Sequence, residues 1–312
     1  MDITVFKMMR TLIDEYKRNC QWGTAHIYNS AYKAFIDYRE GCDLAFRELS
    51  ADVIKGFEIY IRGKQCSRNT AATYIKVVKA TYNRAVEYGV AVFTPRLFAN
   101  VRTSVVNRRK RALNAREIGS LMVDATARPV VGDIKLHQAK LVFRLMFLLR
   151  GIPFVDLAYL RKEDLDGVFL SYRRRKTGRM ITVKITNEAF SIMKRLAKDT
   201  PRYSPYLFPF ISSPEGTERA YREYQCALRQ INRNLNQLSQ RSAMRLSTYT
   251  ARHTWATMAY HCEIHHGIIS QAMGHSSIAV TETYLKPFHE DRIDEANEKV
   301  IEYVKQSAPL KR

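Results

Sequence analysis

The stretch TARHTWAT, residues 250–257, is followed by MGHSSIAVTETYLK, residues 273–286. These two motifs place Arg252, His275 and Tyr284 within one short polar segment near the C-terminus. A hydrophobic core needs none of these side chains, because buried polar groups cost free energy unless they are hydrogen-bonded. Chemistry on a phosphodiester uses all three, so phosphoryl transfer is the first hypothesis.

A tyrosine that attacks a phosphodiester needs help from its neighbours. Its phenol is a weak nucleophile at neutral pH, with a reference pKa of about 10. Negative charge gathers on the non-bridging oxygens, which guanidinium groups bind bidentately, and the departing 5′ oxygen needs a proton. Tyr284, Arg252, His275 and Lys176 provide this set of groups without a metal or a cofactor.

Length and charge limit the classes of protein that fit. The 312 residues are enough for two domains, and 51 Lys and Arg against 30 Asp and Glu give a net charge of +21. A chain this basic usually binds a polyanion, although a generically basic surface remains the alternative. Five cysteines without a Cys-x-x-Cys pair favour a reducing cytosol. The start has no signal-peptide core, and the longest apolar run, 141–149, is too short to span a bilayer.

The N-terminal third reads as four helices. Apolar residues recur at helical spacing over 5–16 and 27–38. Ser50 and Ser67 are placed to cap two further helices, and no strand pattern competes. We therefore predict an all-α domain over residues 1–104.

A basic connector is predicted at residues 105–113, and it leads into a second domain at 114–312. It can track a DNA backbone, although a solvated basic loop is an equal alternative. Asn114 with Glu117 predicts a capping box at the start of the next helix.

The second domain is predicted to be mainly helical with one β-hairpin. The stretch VFLSYRRRKTGRMITVKI, residues 168–185, alternates apolar and polar residues on both sides of Lys176-Thr177-Gly178. Gly178 can take the positive φ of the turn. Helices are expected around 187–198, 217–240, 250–261, 264–273 and 289–305.

These motifs resemble those of a known family. TYTARHTWATMA (248–259) and AMGHSSIAVTETYL (272–285) resemble the signature of the tyrosine recombinases (phage integrases), which is His-x-x-Arg-His, Leu-Gly-His and then a tyrosine. The hairpin resembles the family's lysine site, and residues 67–89 resemble the last helix of its core-binding domain. The resemblance implies a mainly α fold: an N-terminal SAM-like four-helix core-binding domain, and a catalytic domain with a small β-hairpin or sheet.

The resemblance also implies roles for the site residues. Tyr284 would attack the scissile phosphate and hold a 3′-phosphotyrosyl bond. Arg252 and His275 would hold its non-bridging oxygens, and Lys176 would protonate the leaving 5′ oxygen. The basic residues expected to bind DNA are Arg108, Arg109, Lys110, Arg111, Arg173, Arg174 and Arg175.

Two positions depart from the family pattern. Tyr249 stands where the first histidine is expected, and its hydroxyl can donate a hydrogen bond but cannot act as a near-neutral base. Aligning GIPFVDL, residues 151–157, with the family's Gly-Leu-Arg-Ile-Ser-Glu-Leu puts Pro153 where the first arginine belongs. Proline offers no donor to a phosphate.

Arg150 is the predicted replacement for that arginine. On a helix ending there, His137, Lys140 and Arg144 would form a polar stripe, and Arg150 would point into an apolar face. An arginine there is costly unless it is paired, either with DNA phosphate or with Asp156. The alternative is therefore a structural Arg150–Asp156 pair.

The function implied is site-specific recombination, meaning integration, excision or inversion of DNA. The motifs are nearest to integrases and invertases of bacterial mobile elements, which implies a cytoplasmic, nucleoid-associated protein. We expect double-stranded DNA and a homotetramer on paired sites, with helix 289–305 docking on a neighbouring protomer, and no membrane partner. No arm-binding domain is expected before the core-binding domain. A DNA-binding member without catalysis and a type IB topoisomerase-like enzyme remain alternatives.

One further cluster is set aside. The spacing of His261, Cys262, His265 and His266 fits helical zinc ligands. The proposed chemistry needs no metal, and Gly267 indicates a turn, so no metal site is expected.

Overall fold

The computed structural model describes residues 3–104, 112–123, 133–242, 244–282 and 290–306. Contacts between Cα atoms divide the chain into two compact units. The first unit comprises Met1–Arg108 and Ile211–Cys226, and the second comprises Arg109–Phe210 and Ala227–Arg312. The predicted domain bounds place 211–226 in the second domain, and these bounds remain a prediction.

The first unit contains the predicted four helices. Ser50 and Ser67 cap their helices as expected, because each hydroxyl accepts a backbone N–H three residues on. Phe35 and Phe57 pack edge to face in the core, with ring centroids 4.8 Å apart. The helices are α1 (Val5–Arg18), α2 (Trp22–Tyr38), α3 (Ala51–Gly63) and α4 (Arg68–Glu87).

Residues 211–226 are attached to this unit by polar and aromatic contacts. The indole of Trp22 donates to the carbonyl oxygen of Gly216 at 2.7 Å. Within the segment itself, Glu223 accepts hydrogen bonds from the backbone and hydroxyl groups of Ser212 and Ser213. These donors outweigh burial and lower the pKa of the Glu223 carboxyl to about 2.

The second unit is helical around one small sheet. Strands β1 (Leu165–Asp166), β2 (Phe169–Arg173) and β3 (Met180–Lys184) form an antiparallel sheet in that order. Gly178 has a φ of 70°, which confirms the predicted hairpin turn. The helices are α5 (Ala115–Val123), α6 (Ile134–Leu148), α7 (Phe154–Ala158), α8 (Asn187–Ala197), α9 (Glu218–Ser242, which belongs to this unit from Ala227 onward), α10 (Thr248–His261), α11 (His266–Met273), α12 (Ile278–Glu282) and α13 (Glu290–Gln306).

The predicted polar stripe on α6 is wrong at Arg144. This side chain is 1% exposed and forms an ion pair with Glu188 on α8. The reason is that α6 packs against both α8 and α10, so the face that carries Arg144 is covered. A buried arginine needs such a partner.

The helical placement of Arg150 is also wrong. Helix α6 ends at Leu148, and Arg150 lies beyond it with a φ of 58°. Its direction therefore cannot be extrapolated from the helix. In the described ranges, no helix is long and apolar enough to cross a bilayer.

Candidate active site

Helix α10 carries Arg252 into the interior of the second unit. Ser247 caps the helix by accepting the backbone N–H of Thr250 at 3.1 Å. Small side chains follow on the inward face, and Ala251 and Ala256 are fully buried. This face lets the long side chain of Arg252 extend while it stays 4% exposed.

The end of α11 fixes the position of His275. Gly274 takes a φ of 63°, and its N–H donates to the Gln271 carbonyl. The N–H of His275 donates to the Ser270 carbonyl, which completes a Schellman motif. The carbonyl of Met273 lies at the negative end of the helix, where cations are stabilised.

Arg252 is held at this helix end. Its Nη2 donates to the carbonyl oxygen of Met273 and lies 2.8 Å from Nε2 of His275. Its Nη1 donates to the carbonyl oxygen of Gly151 at 2.8 Å. The two residues that the sequence predicts to share a phosphate therefore lie in direct contact.

The same contacts define the tautomer of His275. A guanidinium group only donates, so Nε2 of His275 accepts and the proton is on Nδ1. Nδ1 lies 2.8 Å from the hydroxyl oxygen of Thr281 on α12, which accepts that proton. Burial, followed by the charges of Arg252 and Arg174, lowers the pKa of His275 to about 3. The ring is therefore neutral at physiological pH.

A second buried arginine lies in this cluster. Arg174, at the end of the β2–β3 hairpin, is 5% exposed, and its Nη1 donates to the same Met273 carbonyl that Arg252 uses. Its Nε lies 2.6 Å from Oδ2 of Asp156 on α7, as an ion pair whose N–H does not point at the oxygen. The alternative Arg150–Asp156 pair is therefore wrong, because Asp156 pairs with Arg174.

Burial raises the pKa of the Asp156 carboxyl, and the Arg174 charge opposes this shift. Oδ1 of Asp156 also accepts the backbone N–H of Arg175 at 3.0 Å. The carboxylate thus holds both the side chain of Arg174 and the backbone that leads to Lys176.

The hairpin turn is attached to the loop that carries His275. The hydroxyl of Thr177 donates to the Gly274 carbonyl at 3.1 Å, and Arg179 donates to the Ser276 carbonyl at 3.2 Å. Lys176 lies between these attachments with an exposed side chain. Its charge contributes to lowering the pKa of His275, so the lysine and the histidine interact electrostatically.

Two glycines permit these close approaches. Gly151 has a φ of 70°, and a Cβ added to it would lie 3.0 Å from Cα of Arg252. A Cβ on Gly274 would lie 2.7 Å from Cδ1 of Ile181 and 3.0 Å from Cγ of Arg174. Both positions require glycine for its conformation and for its lack of a side chain.

The remaining expected residues lie outside this cluster. Tyr249 is 42% exposed, and its ring packs edge to face on His253 with centroids 4.4 Å apart. Arg150 is half-buried, and its Nη1 donates to the Thr182 carbonyl at 3.2 Å. Tyr284 lies outside the described residues, as do Arg108, Arg109, Lys110 and Arg111.

The two other hairpin arginines face outward. Arg173 is exposed, and its Nη1 donates to the Gly178 carbonyl at 2.7 Å. The guanidinium of Arg175 stacks 3.8 Å above the ring of Tyr159. Only Arg174 of the three turns into the buried cluster.

Sequence reasoning did not assign two members of the cluster. Thr281 is eight residues from the end of α11 and is a common residue type, so nothing marked its contact with His275. Arg174 was grouped with its neighbours as a DNA contact. The alternation of the hairpin was the available signal, because the residue two places before Arg174, Tyr172, is buried on the inward face.

The sequence cluster at His261 does not form a ligand set in the structure. His265 accepts the backbone N–H of Gly267, and His266 packs against Tyr260. The part of the chain that the structure describes contains no group of three or more histidine, cysteine or acidic residues placed to hold a metal ion.

Comparisons with known proteins agree with this architecture. The profile of the Phage integrase SAM-like domain matches residues 4–99, and that of the Phage integrase family matches residues 131–290. A SAM-like helical domain followed by an integrase catalytic domain is the architecture of an enzyme that transfers DNA strands. The chain belongs to the phage integrase family, and it is a site-specific recombinase of the tyrosine class that binds DNA.

Solved structures show the same fold. The Tn1549 transposon integrase in complex with a circular intermediate DNA aligns with a TM-score of 0.65 at 16% identity, over 96% of this chain and 100% of that one. A lambda integrase dimer bound to a COC′ core site aligns with a TM-score of 0.59 at 17% identity, over 88% and 94%. The XerH recombinase bound to difH aligns with a TM-score of 0.59 at 15% identity, over 88% and 78%. No curated protein sequence matches the chain.

Proposed function

We propose that this recombinase cuts and rejoins DNA through a phosphotyrosyl bond to Tyr284. The observation that carries the proposal is the contact between Arg252 and His275: Nη2 of Arg252 lies 2.8 Å from Nε2 of His275 and also donates to the Met273 carbonyl. Helix α12 runs from this cluster to Glu282, two residues before the tyrosine. A short segment therefore connects the nucleophile to the groups that bind the phosphate.

The chemistry follows from these positions. The phenolic oxygen of Tyr284 forms a bond to phosphorus and loses its proton to water, while the bond from phosphorus to the 5′ oxygen breaks. Arg252 neutralises charge on a non-bridging oxygen. The ammonium of Lys176 gives a proton to the 5′ oxygen. Religation reverses these steps, because the phosphotyrosyl bond conserves the energy of the phosphodiester.

His275 begins as an acceptor and becomes a donor in this scheme. In the DNA-free protein its Nε2 accepts from Arg252, so the ring has no proton to offer on that side. A phosphate beside Nε2 adds negative charge, which raises the pKa of the imidazole. We infer that binding of the scissile phosphate brings a proton to His275.

The outer cations are proposed to contact DNA phosphates. Arg173 and Arg175 are exposed at the hairpin, and the half-buried Arg150, which the sequence predicts as the replacement for the first arginine, lies at the margin of the cluster. Tyr249 presents its hydroxyl from the exposed side of α10 as the proposed donor in place of the family histidine. The basic connector, Arg108–Arg111, is proposed to follow the DNA backbone.

Formation of a covalent adduct tests the proposal. Wild-type protein mixed with a nicked substrate that carries its recombination site should become covalently linked to DNA, and Tyr284→Phe should not. Tyr203→Phe is the matched control, because Tyr203 is a fully exposed tyrosine of the same unit. An adduct with Tyr284→Phe would refute the assignment of the nucleophile.

The same assay separates the two alternatives. Tight DNA binding by the wild type without any adduct would favour the DNA-binding member without catalysis. Relaxation of supercoiled plasmids that lack a recombination site would favour the topoisomerase-like enzyme. Integration, excision and inversion differ in how the two sites are arranged in the DNA, so they are compared on paired sites in direct and inverted orientation.

We also propose that four protomers assemble on two paired sites, as a DNA-associated complex in the bacterial cytoplasm. The described side chains of α13 are exposed, and Val300 and Tyr303 are 61% and 73% exposed. Such a helix suits docking on a neighbouring copy of the chain. Truncation after Pro287 should leave DNA binding and abolish the four-protomer complex in sedimentation experiments, whereas unchanged assembly would contradict the docking role.

A further inference from the structure

The active site lacks one guanidinium where the family pattern expects it. Pro153 occupies that position at the start of α7, with backbone in the extended region. A transition-state donor of this type typically contributes about 10²–10³-fold in rate. An enzyme that keeps Arg252 and His275 therefore gains from a second arginine near the Met273 carbonyl. This inference rests on the proposed phosphotyrosyl chemistry.

Arg174 has the required position. Its Nη1 and the Nη2 of Arg252 donate to the same carbonyl oxygen, that of Met273. Two guanidinium groups that share one acceptor lie side by side. They can therefore bind two oxygens of one phosphate.

Asp156 orients this arginine. The carboxylate contacts Nε of Arg174 at 2.6 Å and accepts the N–H of Arg175 at 3.0 Å. Asp156 also belongs to the GIPFVDL motif in which Pro153 replaces the arginine. The acidic residue of the motif is thus retained, and its partner comes from the hairpin.

The donors of Arg174 are not all used by the protein. Nε lies beside Asp156 as an ion pair and Nη1 donates to the Met273 carbonyl, whereas Nη2 has no hydrogen-bond acceptor among the described residues. The charges of Arg174, Arg252 and Asp156 leave the cluster with one net positive charge around a neutral His275. An anionic oxygen that enters the cluster meets both a donor and a favourable potential.

The other candidates are placed less well. Arg150 is half-buried, and its Nη1 donates to the Thr182 carbonyl of β3. Arg144 is buried but pairs with Glu188 on α8. Neither guanidinium contacts Met273 or His275 within the described ranges.

We propose that Arg174 supplies the second guanidinium of the transition state and binds a non-bridging oxygen of the scissile phosphate beside Arg252. Asp156 is its positioning residue. The hairpin then contributes two groups to the reaction, Arg174 on the phosphate and Lys176 on the leaving oxygen.

The test compares two substrates. One nicked DNA carries an ordinary scissile phosphate, and the other carries a methylphosphonate, in which a methyl group replaces one charged oxygen. Arg174→Lys keeps the positive charge and loses the planar fork. Its cleavage rate on phosphate DNA should fall by about 10²–10³-fold, and on methylphosphonate DNA by less than about tenfold, because the charge that Arg174 stabilises is gone.

Arg144→Lys is the matched control. It changes another buried arginine that is paired with a carboxylate in the same unit. A loss of folding or packing alone slows both substrates by the same factor. Arg174→Lys should therefore change the ratio of the two rates, and Arg144→Lys should leave it at the wild-type value.

The outcomes separate this inference from the proposed function. A wild-type adduct that Tyr284→Phe abolishes supports the phosphotyrosyl chemistry by itself. With that result, an Arg174→Lys rate within about threefold of wild type, or equal losses on both substrates, would overturn the role of Arg174 alone. A larger substrate-dependent loss for Arg150→Lys would assign the position to Arg150.

A second variant keeps the proposal testable if Arg174→Lys does not fold. The paired Arg174→Gln, Asp156→Asn protein is neutral at both positions, so no unpartnered charge is buried. Thermal unfolding and DNA binding are measured alongside. This variant should show the same difference between the substrates, and a phosphate cleavage rate close to wild type would refute the proposal.

Discussion

The two units of the molecule differ in the kinds of side chain that they bury. Among the described residues, the core of the first unit consists of aliphatic and aromatic groups, and Glu58 is the one charged side chain that is buried there. The second unit buries the ionisable residues Arg144, Asp156, Arg174, Arg252, His253 and His275. A buried ion pair is often no more stabilising than hydrocarbon of the same volume. The buried groups that lie together around the Met273 carbonyl, namely Arg174, Arg252 and His275, are therefore better explained by what they bind than by stability.

The contrast between the two units predicts its largest effect, on the cleavage rate, at Lys176. Lys176→Ala removes the proposed general acid and should slow cleavage by about 10²–10⁴-fold without a comparable loss of stability, because the side chain is exposed. A substrate with sulfur at the bridging 5′ position has a leaving group that needs no proton, so it should restore most of the rate.

Lys184→Ala is the control for that experiment. Lys184 is an exposed lysine at the end of β3 away from the hairpin turn. Its replacement should change the cleavage rate of neither substrate. If the sulfur substrate fails to rescue Lys176→Ala, the lysine acts in binding and not as the acid.

A smaller effect, on both stability and rate, is expected at Gly274. Gly274→Ala forces a Cβ against Ile181 and Arg174 in a left-handed conformation, and should lower the free energy of unfolding by about 2–4 kcal/mol. Gly178→Ala shares the positive φ but meets open space, and should cost about 1–2 kcal/mol. If Gly274→Ala and Gly178→Ala lowered the free energy of unfolding in urea equally, the hairpin and the loop after α11 would not be closely packed at Gly274.

The smallest effect concerns pH. The folded pKa of His275, about 3, lies below its ordinary value of 6.5. The stability from a neutral ring is therefore complete above about pH 6.5 and is lost as pH falls toward 3. At pH 5 the DNA-free protein should have lost about 1–2 kcal/mol relative to pH 7.5 through this group.

His275→Gln removes that dependence and keeps a polar side chain. Unfolding curves at the two pH values should differ more for the wild type than for this variant. An identical pH dependence in both proteins would mean that the imidazole is already accessible to protons in the folded state.

The same contrast explains what the sequence can predict. Helical periodicity and the caps at Ser50 and Ser67 are local, so the four N-terminal helices were predicted close to their observed bounds, with the start of α2 five residues late. The hairpin followed from an equally local pattern, whereas the contact of Arg252 with His275 was not predicted, since the family motifs implied only that both residues bind the same phosphate. Strand β1 is two residues long and carries no period, and sequence reasoning missed it.

The errors arise where tertiary contacts decide. Arg144 sits on what looks like a polar stripe, but α8 and α10 cover it. The direction of Arg150 depends on where α6 ends, and a left-handed residue after Leu149 is not apparent from composition. The partner of Asp156 is Arg174, eighteen residues away in the turn after β2, a separation at which no helical spacing applies.

The attachments between the hairpin and the loop after α11 have a consequence for protein engineering. Thr177, Arg174 and Arg179 all bond to backbone carbonyls within 273–276. Chimaeras that exchange only one of these segments with a distant relative would mismatch donors and acceptors. The hairpin and the loop after α11 form one structural module. Engineered variants of this enzyme should therefore exchange the two segments together.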